Sequence, residues 1–234
     1  MQSDNLFSNT FQEKSNAPLA DKLRPKKFED FFGQESLLAD NSLLRNAILH
    51  DKLGNSIFSG PPGVGKTTLI EIISANTRSS LIKLNAVLSS IKELRHEITN
   101  AKERLKNSNR KTILFIDEVH RFTAVQQDAL LPSVENGIIT FIGATTENPF
   151  FAVNKALISR SRIFTLLPLN ENDMKKIIKK VINYYANLED SKNVQISEEA
   201  INHLIKFSGG DARNLINALE FSISITKENK NKLI

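Results

Sequence analysis

Up to residue 168 the apolar positions fall into two alternating rhythms. Short, nearly unbroken runs at Ser56–Ser59, Leu81–Leu84, Thr112–Ile116, Ile138–Gly143 and Ile163–Leu167 predict five strands. Runs without a regular polar position suit strands covered on both faces. Between them the spacing becomes helical. Leu37, Leu38, Leu43, Leu44, Ala47 and Ile48 predict one helix from Glu35 to about Lys52, and Thr67–Ile73 predicts another. Ser90–Leu105 carries Lys92, Glu93, Arg95, Glu97 and Lys102 as an amphipathic helix, and Ala124–Glu135 stops at Gly137. Strands alternating with helices predict an α/β fold with a parallel sheet sandwiched between helices.

After Pro168 only the helical rhythm remains, over Asp173–Ala186, Ser197–Phe207 and Asp211 to about Ile225. Asn170 and Ser197 are suited to N-capping, and Gly209-Gly210 separates the last two helices. Residues 1–17 are polar and aperiodic, which predicts a flexible arm. The predicted organisation is therefore a flexible arm over 1–17, an α/β domain over 18–168 and a small all-α domain over 169–234. Pro18–Pro25 is expected as an extended strap, because Pro25 disfavours helix at Arg24.

Between the first strand and its helix lies Gly60-Pro61-Pro62-Gly63-Val64-Gly65-Lys66-Thr67-Thr68. It fits the phosphate-loop pattern, a glycine-rich turn between strand and helix whose backbone N–H groups face phosphates. The helix N-terminus adds partial positive charge. Lys66 is expected to reach the β- and γ-phosphates and Thr67 to ligate Mg²⁺, so a nucleoside triphosphate is the expected ligand. Asp117-Glu118 closes the most apolar strand, at the end where ligands sit in open parallel sheets. Asp117 is expected to hold Mg²⁺ through its water shell, and Glu118 to polarise the attacking water. Gly143–Pro149 is a threonine-rich turn at the next strand end, and Ser159-Arg160-Ser161-Arg162 precedes the last strand. Gly210-Asp211-Ala212-Arg213 opens the final helix. Taken alone, these arginines read equally as surface ion-pair residues.

Composition narrows the surroundings. The chain has 234 residues, no cysteine, no tryptophan, two tyrosines and four histidines, with a net charge of +5. No disulfide framework or thiolate chemistry is available, and scattered histidines argue against a dedicated zinc site. No run approaches a bilayer span and the N-terminus lacks a signal-peptide layout, so a cytoplasmic location is expected, at the nucleoid in a bacterium. The lysine clusters permit a polyanionic partner without requiring one.

These motifs, in this order, resemble an AAA+ ATPase. Pro18–Pro25 with Phe32-Gly33-Gln34-Glu35 is similar to the adenine-side strap of clamp loaders and Holliday-junction branch-migration motors. Asn85–Arg95, Ile116–Phe122 followed by Gln126–Pro132, and Gly143–Pro149 resemble more narrowly the replication-associated recombination protein A family and its eukaryotic relative, the Werner-helicase-interacting protein. The resemblance covers roughly Phe11 to Ala218. It implies a five-stranded P-loop NTPase sheet with a helical lid, ATP and Mg²⁺ as cofactors, and ATP hydrolysis between subunits. Thr146 is then the first sensor, Arg160 a finger offered to a neighbouring subunit and Arg213 the second sensor. Arg24, Pro25, Phe32 and Gly33 would line the adenine pocket. The implied partners are DNA forks, single-strand/double-strand junctions and duplex ends, single-strand-binding protein, and further copies of the chain.

Two departures stand beside it. Ser161 occupies the position where clamp-loader relatives usually carry cysteine, and the chain ends at Ile234, before the family's helical oligomerisation region. The chain is then either a fragment or a naturally short or split version, and if Arg160 acts in trans, isolated monomeric chains are expected to bind ATP yet hydrolyse it slowly. A clamp-loader subunit, a branch-migration motor, and an ATP-binding assembly module with little turnover remain the alternative readings.

Overall fold

The computed structural model describes residues 17–187 and 194–228. Residues 1–16 of the arm predicted over 1–17, and the end of the polar tail from residue 229, lie outside them. The chain divides into an α/β unit, Pro25–Pro168, and a helical unit from Leu169 that also takes in the described residues up to Arg24.

The α/β unit contains, in order, α2 (Glu35–Leu38), α3 (Leu43–Leu49), β1 (Ser56–Ser59), α4 (Lys66–Ala75), β2 (Ser80–Asn85), α5 (Ile91–Ser108), β3 (Thr112–Asp117), α6 (Ala124–Glu135), β4 (Ile139–Thr145), α7 (Pro149–Ala152), α8 (Lys155–Ile158) and β5 (Arg162–Thr165). The preceding element, α1 (Leu19–Lys22), belongs to the helical unit. All pairings are parallel, in the order β2-β3-β4-β1-β5. The chain leaves β1 for the edge strand β2, then returns through β3 and β4 to lie beside β1. Connections after β1 therefore leave on the opposite face from those after β2 and β3, and a crevice opens at the carboxyl end of β1.

Side-chain alternation divides the core into two layers. Phe58, Ile113, Phe115, Ile142 and Ala144 pack with Leu44 and Ile48 of α3 and Leu69, Ile70 and Ile73 of α4. Ile57, Leu114, Ile116 and Phe141 pack with Leu94 of α5, Leu130 and Val134 of α6, and Leu157 of α8. Each such side chain contributes about 1.5–3 kcal/mol on burial, so both faces hold the sheet. Phe58 also stacks on Phe164 of β5, with ring centroids 5.5 Å apart.

Two local expectations are corrected. The predicted helix from Glu35 to about Lys52 is broken: Ala39 turns extended with ψ 152°, and Ser42 caps α3 by accepting from the Arg45 N–H at 3.2 Å. Hydrophobic spacing alone carried straight through that cap. Residues 19–22 form a helical turn instead of an extended strap, with Leu19 buried and the turn lying against the last helix of its unit. The restriction from Pro25 reaches only Arg24. The threonine-rich turn after β4 leads into the short α7 and α8, capped by Asn148 and Asn154.

The helical unit contains α9 (Glu171–Ala186), α10 (Glu198–Ser208) and α11 (Ala212–Glu228). Asn170 and Ser197 cap α9 and α10 as predicted. Met174, Ile177, Ile178 and Val181 form the buried stripe of α9, while Lys175, Lys176 and Lys179 lie on its exposed face. No helix among the described residues is long and apolar enough to cross a membrane.

The loop before α2 is fastened to the end of the sheet by one side chain. Gln34, buried and left-handed at φ 62°, accepts from the Leu167 N–H at 3.0 Å and donates to the Leu167 carbonyl at 2.7 Å. Its amide pairs the backbone two residues past β5 as a neighbouring strand would. Gln34→Ala leaves both backbone groups unpaired, an expected cost of about 1–3 kcal/mol. Thermal unfolding should show the midpoint falling by several degrees, and an unchanged midpoint would contradict this role.

Candidate functional site

The loop leaving β1 is shaped by its glycines. Gly60, Gly63 and Gly65 have φ of 147°, 69° and 104°, a region side chains rarely enter. Two are also sterically required: a Cβ at Gly60 would meet the Leu166 carbonyl oxygen at 2.4 Å, and one at Gly65 would meet the Phe31 ring at 2.6 Å. Pro61 and Pro62 stiffen the turn and Val64 is buried in the core. Lys66 opens α4 and is itself buried, its Nζ donating to the carbonyls of Gly60 at 2.6 Å and Pro61 at 2.7 Å. Thr67 Oγ1 donates to Asp117 Oδ2 at 3.3 Å, and Thr68 follows in the first turn. The phosphate loop and the end of β3 are thereby joined.

Beyond Asp117 the backbone reverses through Glu118, a non-glycine residue in the left-handed region at φ 54°. Such a conformation costs on the order of 1–3 kcal/mol and persists only where the surroundings enforce it. Here the Glu118 N–H donates to Asp117 Oδ1 at 3.1 Å, and a 3₁₀ turn, Val119–Arg121, follows. Thr146 Oγ1 donates to Glu118 Oε2 at 3.5 Å. His120 Nε2 lies 3.4 Å from the same oxygen and 3.6 Å from Glu147 Oε1. His120 Nδ1 lies 2.9 Å from Thr145 Oγ1. The four predicted residues Lys66, Thr67, Asp117 and Glu118 thus come from the β1 and β3 ends, and Thr146 joins them from β4.

Sequence reasoning missed Phe31, His120 and Thr145. Phe31 rests on Gly65, whereas Phe32 had been singled out for the adenine pocket. His120 and Thr145 stood inside quoted motifs with no role attached. The adjacent glutamines brace the same region: Gln126 reaches the Ser89 carbonyl at 3.2 Å, and buried Gln127 donates to the Phe122 and Ala152 carbonyls and accepts from the Asn154 N–H.

The arginines sit elsewhere. Arg160 lies just before β5, its carbonyl accepting from Asn55 at 3.4 Å, while Arg162 pairs with Ser56 at the start of β1. That is the amino edge of the sheet, four residues or roughly 13 Å from the phosphate loop along β1. The Arg160 guanidinium binds Glu135 at 2.6 Å and the Ala156 carbonyl at 2.9 Å. Arg213 lies exposed in the first turn of α11 in the helical unit. Arg24, in the helical unit, pairs with Asp21, and Pro25 opens the α/β unit. Gly33, at φ 79°, makes the turn before Gln34.

The residues present fit a magnesium nucleotide. The two glycine positions keep side chains out of the loop, and Lys66 supplies an ammonium there. Among the described residues no group of three or more His, Cys, Asp or Glu gathers to hold a metal. One hydroxyl and one carboxylate, Thr67 and Asp117, instead match the sparse oxygen set that suits Mg²⁺ shared with phosphates.

Comparisons with known proteins place this geometry. The family described as the Holliday junction DNA helicase RuvB P-loop domain matches residues 23–157. The replication-associated recombination protein A of Haemophilus influenzae is 40% identical over 96% of the chain, and the ATPase WRNIP1 of Dictyostelium discoideum 41% over 95%. The chain spans half the length of the first and a quarter of the second. The Thermotoga maritima RuvB branch-migration motor is 27% identical, with a TM-score of 0.72 covering 91% of this chain and 69% of that one. A parallel five-stranded sheet, a phosphate loop joined to a paired acidic strand end, and these relatives together establish that the chain belongs to the RuvB-like family of AAA+ P-loop ATPase domains.

Proposed function

We propose that this chain binds and hydrolyses ATP with Mg²⁺, and that the cycle drives remodelling or maintenance of stalled replication forks and single-strand/double-strand DNA junctions. The observation that carries the reading is the division of charged groups between the two edges of the sheet. Lys66, Thr67, Asp117 and Glu118 meet at the carboxyl edge, and Arg160 stands at the amino edge.

Lys66 exchanges its two loop carbonyls for phosphate oxygens, a charge-assisted contact stronger than the one it leaves. Thr67 and Asp117 would hold the cation, the threonine by its hydroxyl and the aspartate through the water shell. Mg²⁺, when bound, neutralises charge on the phosphate oxygens. Glu118 accepts a proton from the attacking water, and Thr146 orients that carboxylate. Because β1 separates Arg160 from its own phosphate loop, this arginine serves the site of a neighbouring copy, where such a finger contributes about 10³–10⁵ in rate. Arg213 acts as the second sensor from the helical unit, and Arg24, Pro25, Phe32 and Gly33 bound the base.

The DNA part of the reading draws on relatives named for replication-associated recombination, the net charge of +5 and the exposed lysines of α9. No base-reading element is evident, so binding is directed by phosphates and structure and weakens with salt. Single-strand-binding protein is the proposed partner at forks. The RuvB family match favours a second reading, a four-way-junction branch-migration motor.

Two results are expected. Glu118→Gln and Arg160→Ala should each abolish turnover with ATP binding retained, and mixing the two should restore a fraction of it, since one pairing joins an intact base to an intact finger. Arg160→Ala chains that hydrolyse normally would contradict the assignment in trans. The hydrolysis rate should also rise with a gapped fork more than with a four-way junction. The reverse order would favour the branch-migration reading, and no response to either would contradict a DNA-driven cycle.

A further inference from the structure

The His120 side chain is only 4% exposed, and no step above uses it. Its two ring nitrogens face different groups. Nδ1 lies 2.9 Å from Thr145 Oγ1, and Nε2 faces Glu118 Oε2 at 3.4 Å and Glu147 Oε1 at 3.6 Å. The Thr145 hydroxyl settles which nitrogen bears the proton. Thr145 is fully buried, and its Oγ1 already accepts from the Glu147 N–H at 3.0 Å. The hydroxyl's own proton needs an acceptor, and His120 Nδ1 is the one within reach. Nδ1 therefore accepts, and Nε2 carries the hydrogen towards the carboxylates.

We infer that His120 is a positioning residue, which holds the Glu118 carboxylate by an Nε2–H donor whose direction is set by Thr145. This rests on the assignment of Glu118 as general base. Glu118 hangs from a left-handed backbone position that fixes where its side chain starts but not where its carboxylate ends. Its Oε2 faces two side chains, accepting from Thr146 Oγ1 and lying 3.4 Å from His120 Nε2, and both belong to or lean on the end of β4. Thr146 is exposed on a turn, whereas the imidazole is packed in place, so His120 is the rigid one of the pair. Glu147, 58% exposed, is the competing acceptor on the same donor. The base is thus referenced to β4 through Thr145–His120, and a shift of that strand end is passed to the carboxylate.

The test is steady-state ATP hydrolysis by the full chain across ATP concentration, with binding of a fluorescent ATP analogue measured in parallel. His120→Ala should lower kcat by about 10–100-fold, the range for removing a group that orients a reacting one, with KM and analogue binding unchanged. His120→Gln, whose amide can accept from Thr145 and donate to Glu118, should recover most of the loss. Thr145→Val, nearly isosteric, should lose part of kcat by freeing the imidazole, and it carries the test if His120→Ala fails to fold. An unchanged kcat in His120→Ala, a rise in KM, or a His120→Gln variant no better than alanine would overturn the inference. Glu118→Gln is run alongside: if it turns over normally the base assignment itself fails, and if it is inactive while His120→Ala is normal, only the role of His120 falls.

Discussion

The interior four-residue strand β1 is the constraint on which the rest of the α/β unit depends. It is buried along its whole length and paired on both sides, with β4 and with β5. Its polar ends are satisfied locally: Ser56 donates to the Gly54 carbonyl, and Ser59 shares a hydrogen bond with Thr165. Because β1 cannot slip without moving both neighbours, the phosphate loop at one end and the Asn55–Arg160 contact at the other are held a fixed distance apart. The strand thus holds the phosphate loop and Arg160 at two opposite edges, the separation on which the proposed cycle between copies rests.

At the carboxyl edge, every charged group already has a partner supplied by the chain. Lys66 is satisfied by the carbonyls of its own loop, Asp117 by Thr67 and the Glu118 N–H, and Glu118 by Thr146, with His120 Nε2 3.4 Å away. A buried ammonium or carboxylate without such partners would cost several kcal/mol. The carboxylate contacts are of moderate length, and all are made by groups that a nucleotide and its cation can replace. The site is therefore preorganised while remaining exchangeable. The glycine positions serve the same end, since Phe31 and the Leu166 carbonyl close in where any side chain would intrude.

Much of this was legible in the sequence, for identifiable reasons. Strands β3 and β4 were visible because burial on both faces leaves nearly unbroken apolar runs, the short β1 and the half-exposed edge strands β2 and β5 were read from brief apolar stretches, and the phosphate loop was visible because its glycines, lysine and threonine have fixed spacing. The cap at Ser42 was missed because the apolar positions on either side of it keep helical spacing. Phe31 was missed because two adjacent phenylalanines give no clue to which one turns onto Gly65. His120 sits three residues past Asp117 on a 3₁₀ turn, and its relation to Thr145 crosses between strands β3 and β4. No local pattern reports a contact of that kind. Gln34 was read only as part of a strap motif, and its clamp on Leu167, distant in sequence, needs the closed sheet to exist.

The reading stands or falls on whether one chain completes the site of another. The most direct measurement is the ATP hydrolysis rate per chain as a function of chain concentration. If Arg160 acts on a neighbouring copy, the rate per chain should climb with concentration and level off as copies associate. A rate per chain that stays constant from the most dilute sample upward would contradict the account, because each chain would then be working alone.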